Sequence, residues 1–115
     1  MQNHHALVYV ATDIHVSSLP DSLRVQSADV QHIVVPRFSI DDARALIQQA
    51  QQTAVAADGR TFVIVAQAIP VEAQNALLKL FEEPPSGVVF HLVIPHDGLL
   101  IPTLRSRVQL VAVSY

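Results

Sequence analysis

Five short apolar runs punctuate the chain: Ala6–Ala11, His32–Pro36, Thr61–Ala66, Val88–Ile94 and Val108–Val113. Val and Ile dominate them, and polar, proline or glycine residues bound each one. Most lack the polar/apolar alternation of a strand with one wet face, so both of their faces must be covered by other parts of the chain. That requirement points to a mainly parallel sheet sandwiched between helices, because parallel neighbours need long, usually helical, crossovers. The expected class is therefore α/β in three layers, with a five-stranded, mainly parallel sheet.

The intervening segments carry the helical patterns this class demands. Ser39 can cap a helix, with Asp42 three residues later as a short capping-box partner. Ala43, Leu46, Ile47, Ala50, Ala54 and Ala57 then follow one face at helical spacing. Asp58-Gly59 supplies the stop. A second helix is expected from Pro70, a residue suited to the first helical position because its missing N–H would be unpaired there anyway. Ala73, Ala76, Leu77, Leu80 and Phe81 form its apolar face, with Glu72, Gln74, Asn75 and Lys79 assigned outward, and Pro84-Pro85 end it. A third, short helix runs from Pro102 to Arg105 or Ser106. The first crossover, Thr12 to Gln31, shows no sustained helical face, with at most a turn around Ser18–Leu23.

Composition narrows the function. The 115 residues suit one domain, and half of them are apolar, which excludes a disordered polymer. A formal charge of −3 argues against a free-standing nucleic-acid binder, which would carry a basic field. Without cysteine, neither a disulfide frame nor a thiolate metal site can form. Met1-Gln2-Asn3-His4-His5 has neither the basic start nor the long apolar run of a signal peptide, and no apolar stretch exceeds about 10 residues, too few to span a bilayer. A cytoplasmic protein with no membrane partner is the expectation.

Ligands of α/β sheets bind at the carboxyl ends of the strands. After the first strand stand Thr12, Asp13, Ile14 and His15. A phosphate cradle needs closely spaced glycines followed by Lys and Ser or Thr. The chain has only Gly59, Gly87 and Gly98, and its one lysine, Lys79, falls inside a helix. At the end of the third strand, where an NTPase places acids for magnesium and water, stand Ala66, Gln67 and Ala68. Glu72 reads as a solvated helix residue, and the His96-Asp97 pair as the start of a turn. His4, His5, His15, His32, His91 and His96 show no metal-ligand spacing, and no G-x-S-x-G segment supports a nucleophile. No cofactor or metal is expected. Arg105 and Arg107 remain, beside Ser106, between the short helix and the last strand. By residue type they are ordinary surface arginines that could grip an anion or carboxylate.

The segment Glu72–Pro85, reading E-A-Q-N-A-L-L-K-L-F-E-E-P-P, resembles a signature of bacterial clamp-loader subunits of the AAA+ family. The resemblance continues through Val88–Ile94 into Leu99–Arg107, and Ser39–Arg44 is similar to the start of the preceding family helix, so it spans about residues 38–109. Within the family the chain looks most like the delta-prime type of DNA polymerase III. The resemblance implies sheet order 5-1-4-3-2, a nucleotide site lacking the phosphate loop and its helix, and no ATP binding or hydrolysis by the chain itself. It also implies that Arg107, with Ser106, acts as an arginine finger on ATP bound to the adjacent subunit. Arg105, Asn75 and Lys79 are then candidates for the partner interface. The implied partners are gamma/tau-like ATPase subunits, with the delta subunit and sliding clamp beyond them, and DNA only through the assembly. Val108 departs from the family cysteine, and Ile94-Pro95 from its small polar sensor residues. The chain is expected to be a single degenerate domain over residues 1–115, without lid or collar. Two function classes follow: a non-catalytic clamp-loader subunit, or a replication adaptor built on an inactive AAA+ remnant.

Overall fold

The computed structural model describes residues 6–11, 30–56, 60–85 and 87–114. The expectations for the first crossover and its missing phosphate loop, for the Asp58-Gly59 stop and for His4, His5 and His15 lie outside these residues. Five strands, β1 (Ala6–Ala11), β2 (Val30–Arg37), β3 (Arg60–Ala68), β4 (Val88–Ile94) and β5 (Gln109–Ser114), form one sheet. Its order is β2-β3-β4-β1-β5, and every neighbouring pair is parallel. Helices α1 (Ile40–Ala56), α2 (Val71–Glu82) and the short α3 (Pro102–Arg105) provide the later crossovers.

The unalternating runs of the central strands behave as their composition requires, whereas the edge strand β2 leaves Val34 60% exposed. Phe62 to Ala66 on β3 are buried without interruption, as are Phe90 to Ile94 on β4. Successive side chains of a strand point to opposite faces, so each central strand feeds two cores. Val8, Phe62, Ile64, Phe90, Leu92 and Ile94 join Ala43, Leu46, Leu77, Leu80 and Phe81 from α1 and α2. Phe90 is the centre of that layer, stacked on Phe62 at 5.7 Å and tilted against Phe81 at 5.0 Å between centroids. Tyr9, Val63, Val65 and Val93 form the second cluster, on the other face.

Local signals set the helix ends. Asp42 N–H donates to Ser39 Oγ at 3.2 Å, and Asp42 Oδ2 accepts from Ser39 N–H at 2.9 Å and from the Ser39 hydroxyl at 3.0 Å. This reciprocal box satisfies donors that the first turn of α1 leaves without helical partners. Asp42→Ala should cost about 1 kcal/mol in urea unfolding, the usual value of a lost cap. Pro70 stands at the N-cap of α2, one position before its expected place, whereas Pro102 holds the first position of α3. The turn after Pro84-Pro85 closes at Gly87, whose φ of 80° is disfavoured for a side-chain-bearing residue.

His91 is buried in β4, its ring stacked 5.5 Å from Tyr9, and Nδ1 has no hydrogen-bond partner among the described residues. Burial disfavours the imidazolium and lowers the pKa from 6.5 to about 4. Between these values the unfolded chain takes up a proton that the native imidazole refuses. Stability is therefore lost as the pH falls through that window, by about 3 kcal/mol in all at 1.36 kcal/mol per pH unit. Urea titrations at pH 7 and pH 4.5 should show His91→Phe losing much less stability than the natural chain. Equal losses would refute His91 as the source.

Candidate functional site

The site grows from α2. Ala73, Leu77, Leu80 and Phe81 are buried as their spacing requires, while Ala76 is only half-buried at the edge of that face. Glu72, Asn75 and Lys79 are exposed. Gln74 contradicts the outward assignment: it is 1% exposed. Its position three before Leu77 and seven before Phe81 lies on the apolar stripe, a signal its polar side chain obscured.

Burial of this amide is compensated by three hydrogen bonds. Gln74 Nε2 donates to the carbonyl of Ile69 at 2.8 Å and to that of Leu99 at 3.0 Å. Its Oε1 accepts from Ile101 N–H at 2.7 Å. One side chain thus ties the start of α2 to the segment that leads into α3. Leu100 and Leu104, both buried, anchor the same segment in the core.

Beyond α3 the backbone turns tightly, with Ser106 N–H donating to the Pro102 carbonyl at 3.0 Å and Arg107 N–H to that of Leu104 at 2.9 Å. The Arg107 side chain then folds across the end of α2. Its Nε donates to Glu82 Oε2 at 2.7 Å, and its Nη1 to the Thr103 carbonyl at 2.6 Å. Ser106 Oγ donates to the same carbonyl at 2.9 Å and lies 3.4 Å from Nη1. The Glu82 and Arg107 side chains are 54% and 32% exposed, so the pair adds about 0–1 kcal/mol to stability. Its consequence is orientation: two partners on different nitrogens fix the plane of the guanidinium. Glu82 had no role in the sequence reading, because nothing local links it to a residue twenty-five positions away.

Arg107 stands two residues before β5, at the amino end of the sheet. The carboxyl ends lie a strand length away, roughly 20 Å for six residues. There, β3 finishes in buried Ala66, exposed Gln67 and half-buried Ala68, and β4 is followed by half-buried Pro95 and exposed His96. The chain continues from His96 into a 3₁₀ turn, Asp97–Leu99, as the turn reading anticipated. A groove of about 340 Å³ opens between α1 and α2, lined by Ile47, Gln51, Ala76, Lys79, Leu80 and Glu83. Asn75 and Lys79, four residues apart, share the exposed side of α2, whereas half-exposed Arg105 belongs to the α3 end with Arg107. The candidate interface residues therefore form two groups. Among the described residues no three His, Asp or Glu side chains gather into a metal site, and no helix is long and apolar enough to cross a membrane.

Comparison with known proteins places this geometry in a family. The model of the family described as "DNA polymerase III, delta subunit" matches residues 2–115. The DNA polymerase III subunit gamma/tau of Mycobacterium tuberculosis is 35% identical over 69 residues, covering 59% of this chain and 12% of that protein. The DNA polymerase III subunit delta′ of Pseudomonas aeruginosa is 40% identical over 70 residues, covering 59% of this chain and 21% of that protein. The chain thus matches only a small part of the length of either relative. A DNA polymerase III gamma subunit-related protein from Thermotoga maritima shares the fold with a TM-score of 0.72 at 21% identity, over 95% of this chain and 40% of that one. With the family model spanning nearly every residue, the chain belongs to the DNA polymerase III delta subunit family of clamp-loader proteins.

Proposed function

We propose that the chain is a non-catalytic, delta-prime-like clamp-loader subunit that docks on an ATPase subunit and presents Arg107 to the nucleotide bound there. The observation that carries this reading is the position of Arg107 at the amino end of the sheet, held on Glu82 and Thr103. Nucleotides of α/β sheets lie at the carboxyl ends, so a guanidinium here is out of reach of its own chain's strand ends and available to a neighbour's. At the described end of β3, Ala66, Gln67 and Ala68 include no carboxylate to hold magnesium or act as a base on water. On this reading the chain neither binds nor hydrolyses ATP. Its partners are gamma/tau-like ATPase subunits, then the delta subunit and sliding clamp, and it meets DNA only through the assembly. The work is done in the cytoplasm.

The test is to titrate the chain into the gamma/tau-like subunits of its own cell, with clamp and primed DNA, while following ATP turnover. A saturable rise in turnover is expected, together with no binding of labelled ATP by the chain alone. Stable association without any change in turnover would instead favour an adaptor.

A further inference from the structure

We infer that Glu82 is the positioning residue for Arg107, holding the guanidinium so that its Nη2 edge faces an incoming anion. The inference deepens the proposed function and rests on it only for the identity of that anion, a phosphate on a neighbouring subunit. Glu82 is the last residue of α2, so its carboxylate is presented from the end of a helix whose other end is fixed by Gln74. It accepts from Nε at 2.7 Å, while the Thr103 carbonyl takes Nη1 at 2.6 Å. These are two of the three nitrogens set about 120° apart around the planar carbon. Engaging both fixes its plane and its rotation, and Nη2 has no hydrogen-bond partner among the described residues.

An arginine side chain otherwise samples many rotamers, and ordering it at the moment of binding subtracts from what the new hydrogen bonds contribute. Here that ordering precedes the encounter, the condition under which an electrostatic group is most effective. The carboxylate's hydrogen-bond geometry, rather than its charge, is what the inference assigns. A glutamine at this position keeps an acceptor oxygen in reach of Nε, whereas an alanine keeps none.

The experiment has two arms. In the complex with gamma/tau-like subunits, Glu82→Ala should lower kcat for ATP about five- to tenfold, with the ATP KM changed less than twofold. Glu82→Gln should stay within about twofold of the natural chain, and Arg107→Ala serves as the reference for loss of the finger. Where Arg107→Ala lowers turnover, Glu82→Ala at or above natural turnover, or Glu82→Gln as low as Glu82→Ala, overturns the inference while leaving the finger reading intact. In the second arm, the chain alone is labelled with ¹⁵N and its arginine Nε–H signals are recorded. The Arg107 signal should be protected from exchange in the natural chain and in Glu82→Gln, and lost to solvent exchange in Glu82→Ala. Protection that persists in Glu82→Ala overturns the positioning role whatever the ATPase arm shows. Turnover unchanged by Arg107→Ala overturns only the proposed function.

Discussion

Arg107→Ala should leave the chain folded and bound to its ATPase partners while lowering their chain-dependent ATP turnover by about a hundredfold or more. Arginine fingers contribute several decades of rate in phosphoryl transfer because they neutralise charge as it spreads over the transferring group. The fold should hardly register the loss. Arg107 is one-third exposed on its side chain, and its ion pair with Glu82 is a surface pair of small value. Arg107→Lys should recover little of the turnover. A lysine has no planar fork, and its donors all sit on one nitrogen, so it cannot reproduce contacts that Arg107 makes from separate nitrogens. Thermal melting alongside steady-state ATPase assays separates the effects, and a melting temperature that falls with turnover would point to a structural role instead.

Gln74→Ala should produce the largest loss of stability of the polar substitutions considered, about 3–5 kcal/mol in urea unfolding. The substitution removes three hydrogen bonds and leaves the carbonyls of Ile69 and Leu99 and the N–H of Ile101 without their partner. Each buried polar group so orphaned costs about 1–3 kcal/mol, reduced where water can enter the new space. Gln74→Met separates the two contributions, because it restores most of the volume but none of the hydrogen bonds. It should still lose more than half of what Gln74→Ala loses. A near-neutral Gln74→Met would show that packing, not the amide, secures this junction.

The two substitutions probe features of different legibility. Arg107 was marked in the sequence by its place between a short helix and the last strand, and by the motif around it. Gln74 lies inside the same motif, where its polarity assigns it outward but its helical phase places it inward. Its i, i+3 and i+7 relation to Leu77 and Phe81 places it on the buried stripe, and an amide is tolerated there only because Leu99 and Ile101 come within reach. Neither partner is near Gln74 in sequence. Ala76 erred the other way, an apolar residue left half-buried at the rim of the α1–α2 groove.

The amino-acid sequence by itself determined the elements. The unalternating Val and Ile runs required strands covered on both faces, and β3 and β4 are buried on both. The Ser39–Asp42 box, Pro70 before α2, Pro102 at the start of α3 and the Pro84-Pro85 stop located the helices through steric and hydrogen-bonding rules that act over three or four residues. Only the tertiary structure decided which distant groups meet: the Gln74 amide with the α3 segment, His91 with Tyr9, and Glu82 with Arg107. Periodicity reports the environment of one element at a time, since it arises from backbone geometry within that element. A hydrogen bond between α2 and the residues after α3 depends on how both helices seat on the sheet, and that seating is set by the whole core at once.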